Sequence, residues 1–397
     1  MGSAVVGRRM VEGAVCKRAA VMPRKLHGQE RIDPRQLTSM ISQATSIQAL
    51  LRLNGEHGAI FNIIHAGCMW NKLGNQQGAA DKQHARSIRA LLQRTLEVIM
   101  DDYNPQSIAT VTHGVAKCKL KVWAEVSQLF TLVAKVTVQR GVHDFKPREL
   151  ATMVWAYTTT GVQAEALYTA VAEVAVRRGL RDFNAQNLAN TVWAYATAGV
   201  QAKALYAAVV EVAVWRGLHD FNAQNLANTV WAYATAGVQA EALYVAVAEV
   251  AVRRGLHDFN AQSLAAIVRA YAKAGVQAEA LYAAVVEEAV SRGLHDFKPQ
   301  DLANTVWAYA TAGVQADALY AAVTEAAVRR GLYDFNPQNL ANIVWAYATA
   351  GVQVEALYEV VAEEVVRRRL HDFKPRDLAN IMWAYATAGV QAEALYA

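Results

Sequence analysis

Apolar residues recur at a helical spacing within the segment 202–216. Its apolar members occupy positions i, i+3, i+4, i+7 and i+8, which lie on one side of an α-helix. They are Leu205, Ala208, Val209, Val212 and Ala213. The β-branched run with a period of two that a strand would require is missing from this sequence. The pattern predicts a helix that ends at Gly217.

A companion helix is predicted over 185–198. Asn184 is suited to its N-cap, because an Asn side chain accepts hydrogen bonds from the first free backbone amides. Phe183 and Leu188 have the spacing of a hydrophobic staple. Gly199 can adopt the left-handed conformation that commonly ends a helix. The two helices together form a predicted hairpin.

The hairpin recurs with a period of 38 residues. One Phe opens each repeat, and these residues are Phe145, Phe183, Phe221, Phe259, Phe297, Phe335 and Phe373. A Trp keeps the same phase at Trp155, Trp193, Trp231, Trp307, Trp345 and Trp383, with Arg269 in the remaining slot. A fixed period of this size indicates a repeat architecture, and neither helix can bury its apolar face without a neighbouring unit. We therefore predict an all-α fold, an α-solenoid of about seven 38-residue helical hairpins.

Upstream of the regular repeats the pattern weakens. Residues 104–118 and 122–140 predict a degenerate hairpin, and 36–101 predicts three or four further helices. Three parts of the chain are therefore expected: a basic, disordered segment or transit peptide at 1–35, degenerate helical repeats at 36–144, and the regular array at 145–397 with an incomplete last repeat.

Charge is distributed unevenly between the parts. Residues 1–145 hold 19 Lys and Arg against 10 Asp and Glu, a balance of +9, whereas residues 146–397 hold 20 against 24, a balance of −4. Within 1–29, six basic residues face the single acid Glu12. An Arg-rich, acid-poor start is typical of an organelle transit peptide. A plain disordered basic segment is the alternative.

Composition excludes several classes of protein. With 54% hydrophobic and 18% charged residues, the chain is not a disordered linker. Cys16, Cys68 and Cys118 form no CxxC pair, which favours a reducing intracellular compartment over a disulfide framework. The long uncharged stretch 221–240 contains several Asn and Gln residues, so no membrane span is expected.

The motifs of the common enzyme classes are missing from the sequence. It contains no GxxxxGK[ST], GxGxxG, HExxH or GxSxG. The carboxylates recur in phase with the repeat, as surface charges do. His residues such as His219 and His257 stand 38 positions apart, which is no spacing for metal ligands. We expect no catalytic residues, no metal and no cofactor.

Polar residues in the first helix of each repeat are candidates for RNA binding. A helical wheel places Asn187, Asn190 and Thr197 opposite the apolar arc around Leu188, and short amides and hydroxyls can read unpaired bases. The candidate set is Asn187, Asn190, Thr197, Asn225, Asn228, Thr235, Asp301, Asn304, Thr311, Asn339, Asn342, Thr349, Asp377, Asn380, Thr387 and Lys273. The alternative is that the Asn residues bond neighbouring units to each other.

Two further rows have predominantly structural interpretations. The Trp row is expected in the core between repeats, at the edge of the apolar arc, and Arg269 in one of its slots indicates that this position reaches solvent at its rim. The paired arginines, such as Arg253 and Arg254, close each second helix, where cations complement the helix dipole. Contact with phosphates is a secondary possibility for these arginines.

The string NLANTVWAYAT at 187–197, preceded by Phe183 and Asn184, resembles the octotricopeptide repeats of algal organelle proteins. It is also similar to the helical-repeat region of the FAST-kinase family of mitochondrial RNA-binding proteins. Residues 41–73 resemble the degenerate leading repeats of that family. The resemblance implies single-stranded RNA binding in a chloroplast or mitochondrion, and a role in RNA processing, RNA stability or translation.

Two other functions fit the same repeats. A protein-binding scaffold would use its concave face, and the −4 balance of the array favours it because phosphate neutralisation normally supplies RNA affinity. An inert, recently expanded array is the other. Apolar residues at the end of the chain (Trp383, Tyr385 and Leu395) would lack a polar cap, so we also expect self-association through this end.

Overall fold

The computed structural model describes residues 32–101 and 103–392, and in these residues it contains 19 α-helices and no strand. The predicted segment at 1–35 lies outside the described residues up to position 31, as does Leu395 in the last repeat. The helices are α1 (Pro34–Gln43), α2 (Ile47–Glu56), α3 (Ile63–Gly74), α4 (Ala85–Asp101), α5 (Pro105–Lys117), α6 (Ala124–Arg140), α7 (Pro147–Thr160), α8 (Glu165–Arg177), α9 (Ala185–Ala198), α10 (Lys203–Arg216), α11 (Ala223–Ala236), α12 (Glu241–Arg254), α13 (Ala261–Ala274), α14 (Glu279–Arg292), α15 (Pro299–Ala312), α16 (Asp317–Arg330), α17 (Pro337–Ala350), α18 (Glu355–Arg367) and α19 (Pro375–Ala388).

The predicted hairpin is confirmed by α9 and α10. Asn184 accepts a hydrogen bond from the backbone amide of Asn187 at 2.8 Å and so caps α9. Gly199 has φ 68°, a left-handed conformation, and the next amide, that of Val200, donates to the Tyr195 carbonyl. This geometry favours glycine, because a Cβ would be strained at positive φ. Units are numbered one to seven from Phe145 onward. Units one to six repeat this hairpin, and the structure describes the first helix, α19, of the seventh unit.

The units stack as an α-solenoid with two layers. The first helices, α7 to α19 with odd numbers, pack closely side by side, whereas the second helices, α8 to α18, make sparser contacts with one another. Small residues permit the close packing of the inner layer, since Ala189 and Ala194 of α9 are both fully buried. The closer packing of the first helices implies that the array curves with the first helices on its concave side.

A row of buried tyrosines joins each unit to the preceding one. Tyr233 of α11 donates its hydroxyl to the Tyr206 carbonyl of α10 at 2.7 Å, and the two rings meet edge to face at 5.1 Å. Tyrosines with the same role are Tyr157, Tyr195, Tyr271, Tyr309, Tyr347 and Tyr385. Burial raises the pKa of Tyr233 well above its ordinary value, so the hydroxyl stays protonated and able to donate.

The second arginine of each pair closes its own unit. Arg254, at the end of α12, donates to the Phe221 carbonyl at 2.6 Å, which connects the end of the unit to its start. Residues with the same role are Arg178, Arg216, Arg292, Arg330 and Arg368. The first arginine, as in Arg253, remains exposed. The pair therefore has one structural member and one that faces solvent.

Helices α1 to α6 continue the same two layers. α3 packs against α5 and α5 packs against α7, while α4 packs against α6 on the other side. The hairpin predicted at 104–118 and 122–140 corresponds to α5 and α6, and the region before it contains four helices. None of the helices in the described residues is both long enough and apolar enough to cross a bilayer.

Candidate nucleic-acid interface

Each first helix presents one line of side chains to solvent on the concave side. In α9 this line consists of Gln186, Asn190, Trp193 and Thr197, which are exposed or half-buried, while most of the residues between them are buried. Their spacing of four, three and four residues places them on one face of the helix. We call the combined lines of the odd-numbered helices from α5 to α19 the concave stripe.

The concave stripe begins before the regular array. Counting from its first residue, α5 places Gln106, Thr110, His113 and Lys117 at the same four positions, and these side chains are also exposed or half-buried. This continuation was not predicted from the sequence, because α5 starts 42 residues before α7 rather than 38. Alignment on the helix-initiating prolines, Pro105 and Pro147, would have found it.

The Trp side chains run along the middle of the concave stripe. The ring centroids of Trp193 and Trp231 are 6.5 Å apart, and those of Trp307 and Trp345 are 6.4 Å apart. These rings pack against the core on one side and are half-exposed on the other, and Trp383 is 46% exposed. The Trp row therefore packs against the core between repeats, as predicted, and also has one side open to solvent.

His113 extends the row by one more ring. Its imidazole lies 5.1 Å from the Trp155 ring, in the position that Trp occupies in the regular units. Burial, followed by the charges of Lys117 and Arg148, lowers the pKa of His113. The imidazole is therefore neutral at neutral pH, and the charges of Lys117 and Arg148 add to the larger effect of burial.

The row that contains Asn187 does not lie on the concave stripe. These residues are only 5–9% exposed and occupy the third position of each first helix. In α17, Asn339 accepts a hydrogen bond from the Asn336 amide at 3.2 Å, while the Asn339 amide donates to Asn336 at 2.8 Å. This reciprocal capping box stabilises the helix start. The row comprises Glu149, Asn187, Asn225, Ser263, Asp301, Asn339 and Asp377.

The helical wheel misplaced this row for a physical reason. A wheel drawn from Leu188 assumes one buried arc, whereas each first helix from α7 to α17 is covered by both neighbouring first helices and by second helices. The buried arc is therefore wider than the wheel indicated. It includes Asn187 and leaves Trp193 at the solvent boundary.

Asp301 shows what burial at this capping position costs. Burial raises the pKa of its carboxyl, while the hydrogen bond from the Lys298 amide and the Lys298 charge oppose that shift. Because the folded-state pKa is raised, the ionised carboxylate lowers the stability of the folded protein above that pKa. The penalty is absent well below the unfolded value of about 3.8, where the carboxyl is protonated in both states.

We therefore expect Asp301→Asn to stabilise the protein at neutral pH by less than about 1 kcal/mol, the scale of one polar group. Asparagine keeps the acceptor, as Asn339 does in α17. The gain should shrink as the pH falls through the Asp301 pKa, and urea unfolding followed over pH measures it. Asp334→Asn, at an exposed turn, is the control. A gain that is independent of pH would contradict the prediction.

Two of the predicted rows do lie on the concave stripe. The Asn190 row is half-buried and the Thr197 row is mostly exposed. In the described part of the chain, none of these amides or hydroxyls hydrogen-bonds to another protein group. They are therefore available to a ligand. The members are Asn190, Asn228, Asn304, Asn342 and Asn380 in the first row, and Thr197, Thr235, Thr311, Thr349 and Thr387 in the second, with Lys273 in the second row of α13.

Exposed charges on the concave stripe of the regular array are all positive. Among the first helices α7 to α19, the acids Glu149, Asp301 and Asp377 are buried at the capping position, and the remaining charged residues are cations. Those cations are Arg148, Arg269, Lys273 and Arg376. The acids that give the array its negative balance lie mainly on the second helices and in turns. The balance of −4 therefore does not describe the concave side.

A family model described as RNA-editing substrate-binding complex 6 protein matches residues 81–333, which is more than half of the chain. The chain belongs to this family. The match begins just before α4 and ends after α16. The matched segment therefore includes the concave stripe from α5 to α15.

A second family model, described as Tbc2 translation factor, N-terminal domain, matches residues 316–396. The last two units of this RNA-editing substrate-binding complex 6 family member are thus similar to part of a translation factor. No curated protein matches the sequence. Both matched segments lie within the helical repeats, and the two family descriptions concern RNA editing and translation. The narrower resemblance to octotricopeptide and FAST-kinase proteins stays a prediction.

Proposed function

We propose that this member of the RNA-editing substrate-binding complex 6 family binds single-stranded RNA along the concave stripe. The observation that carries the proposal is the composition of that stripe: a line of half-exposed aromatic rings, flanked by unpartnered amides and hydroxyls, with no exposed acid on the first helices of the array. Aromatic side chains stack on unpaired bases, and short polar side chains can bond to base edges.

Single strands suit this surface better than duplexes. Stacking on Trp193 or Trp231 requires a base whose face is free, and the amides of the Asn190 row can reach base edges only when those edges are unpaired. The few cations on the concave stripe would supply modest phosphate neutralisation. The bases would therefore contribute a large share of the affinity.

Within this proposal the protein acts through binding, without catalysis, in RNA processing, RNA stability or translation. We include an organellar location, because residues 1–29 have the basic, acid-poor composition of a transit peptide. Import of the full chain into isolated mitochondria or chloroplasts would test that part. Protein partners are the second candidate, since the description of the family names a complex.

Two asparagines three residues apart in α17 allow RNA contact and helix capping to be tested separately. We expect Asn342→Ala to weaken RNA binding by about 1–3 kcal/mol, borrowing the range for base-edge contacts in DNA, and to leave thermal stability unchanged. Asn339→Ala removes a capping-box bond, so it should lower stability by about 1 kcal/mol and leave RNA affinity nearly unchanged.

The ligand for this comparison comes from selection with the wild-type chain on a random single-stranded RNA pool. Fluorescence anisotropy then gives the affinities, and thermal unfolding followed by circular dichroism gives the stabilities. Failure of the wild-type chain to enrich any RNA would contradict the proposed function and favour a protein-binding scaffold. Equal RNA affinity of Asn342→Ala and the wild-type chain would remove the Asn190 row from the interface.

A further inference from the structure

The fourth unit interrupts the concave stripe. In α13, Arg269 replaces the Trp and Lys273 replaces the Thr of the other units, and Ala266 replaces the Asn. Arg269 is half-buried and Lys273 is exposed one helical turn further on. Within the described residues, neither cation has an ion pair or a hydrogen bond from its side chain.

The neighbouring unit holds the guanidinium in place. The Cζ atom of Arg269 lies 5.7 Å from the centroid of the Trp307 ring, within the range of a cation–π contact. Within the described residues, the N–H donors of this guanidinium make no hydrogen bond. Arginine in such a position presents several donors in one plane, which suits the oxygens of a phosphate group.

In the part of the chain that the structure describes, no acid contributes to the pKa of either cation. Burial lowers the pKa of Arg269, and burial followed by the Arg269 charge lowers the pKa of Lys273. The nearest acid along α13 and α15 is Asp301, which is buried at the capping position and bonds to the Lys298 amide. An anion bound between Arg269 and Lys273 would relieve this mutual repulsion.

The position of the pair within the array is regular. The other two cations on the concave stripe of the array are Arg148 in the first unit and Arg376 in the seventh, three units to either side of the fourth. Between them lie stretches of the concave stripe that carry Trp and Asn and no charge, in units two and three and again in units five and six.

We propose that Arg269 and Lys273 bind backbone phosphate groups in the middle of the RNA strand and divide the bound strand into two stacked segments. One segment would stack on Trp193 and Trp231, and the other on Trp307 and Trp345. The proposal rests on the proposed function, since it assigns a phosphate site within the same interface. The ligand class is a phosphodiester of single-stranded RNA.

Restoring the residues of the other units tests the assignment. The double variant Arg269→Trp with Lys273→Thr gives α13 the residues that α11 and α15 already have, so the fold should be retained. The probe is a fluorescent single-stranded RNA of mixed sequence, titrated at several salt concentrations. The loss of two phosphate contacts on a single strand should make the slope of log affinity against log salt shallower by about 1.4. Between 50 and 200 mM salt, the wild-type chain should then lose about sevenfold more affinity than the variant.

The matched control removes the same charge from the other side of the array. Arg177 and Arg253 are exposed at the ends of second helices and make no side-chain hydrogen bond or ion pair within the described residues. The double variant Arg177→Ala with Arg253→Ala should keep the wild-type slope. A control slope that falls as far as that of the α13 variant would show a general charge effect and overturn the proposal.

The remaining outcomes separate this proposal from the proposed function. Tight, salt-dependent binding by the wild-type chain with an unchanged slope in the α13 variant would overturn the phosphate site and leave RNA binding intact. An unchanged slope with an altered base preference would show that Arg269 reads a base instead. Absence of RNA binding by the wild-type chain at low salt would overturn both.

Discussion

Replacing Trp193 and Trp231 together with leucine should weaken RNA binding by about 2–6 kcal/mol, a loss of at least about 30-fold. Stacking of one base on an aromatic ring contributes about 1–3 kcal/mol, and both rings are half-exposed on the concave stripe, with centroids 6.5 Å apart. Leucine keeps the apolar packing of the Trp side chains against the core and removes the flat surface. Fluorescence anisotropy with the selected RNA measures the loss.

A third tryptophan supplies the control for this experiment. Trp215 lies at the end of α10, in the layer of second helices, and is 76% exposed. Trp215→Leu removes the same chemical group and should leave RNA affinity within twofold of the wild-type value, as an exposed residue outside the interface would. Equal losses from the concave and the outer substitutions would contradict stacking on the concave stripe. Unfolding curves for each variant show whether the fold is retained.

Replacing Gly114 with alanine should destabilise the protein by about 3 kcal/mol or more, at the upper end of the range for overpacked cores. A Cβ on Gly114 of α5 would lie 2.4 Å from the carbonyl carbon of Trp70 and 2.5 Å from its oxygen. Both are backbone atoms of α3, so no side-chain rotation can relieve the overlap. The two helices must separate, and that movement disturbs the fully buried Trp70, which donates to Thr95 at 2.9 Å.

The same helix pair contains a matched control. Gly67 lies in α3 and faces α5, but a Cβ there would meet its nearest neighbours at 3.6 Å, which is ordinary van der Waals contact. Gly67→Ala should therefore be neutral or stabilising by up to about 1 kcal/mol, because alanine favours helix over glycine. Urea unfolding followed by circular dichroism compares the two variants. Equal stability of both would show that α3 and α5 are less closely packed than described.

The local structure of the repeats could be predicted from short segments of sequence. The bounds of α9 follow from Asn184 and Gly199, because capping and the left-handed conformation depend on the residue itself and its nearest neighbours. The period of 38 residues then implies stacking, since an isolated hairpin would leave its apolar faces in water. These expectations concern interactions over a few residues, or the same interaction repeated, and they agree with the structure.

The face of each helix that meets solvent was decided by tertiary packing. Asn187 and Asn190 are three residues apart and chemically identical, yet one is buried in a capping box and the other is half-exposed on the concave stripe. A helical wheel could not distinguish them, because the width of the buried arc depends on how many neighbouring helices cover the first helix. The wheel placed Trp193 at the edge of the apolar arc, and tertiary packing decided how much of its ring is open to solvent.

The sequence by itself thus determined that this protein is a stack of 38-residue helical hairpins, that the individual helices are capped, and that the N-terminal part is basic. Only the tertiary structure decided which polar residues reach the concave surface. It also decided that the acids of the first helices are buried, so that this surface exposes no acid of the array. The physical reason is that burial and electrostatic potential are sums over neighbouring units. The side chains that cover a given residue, such as Arg269 beside Trp307, come from repeats about 38 positions away in the chain.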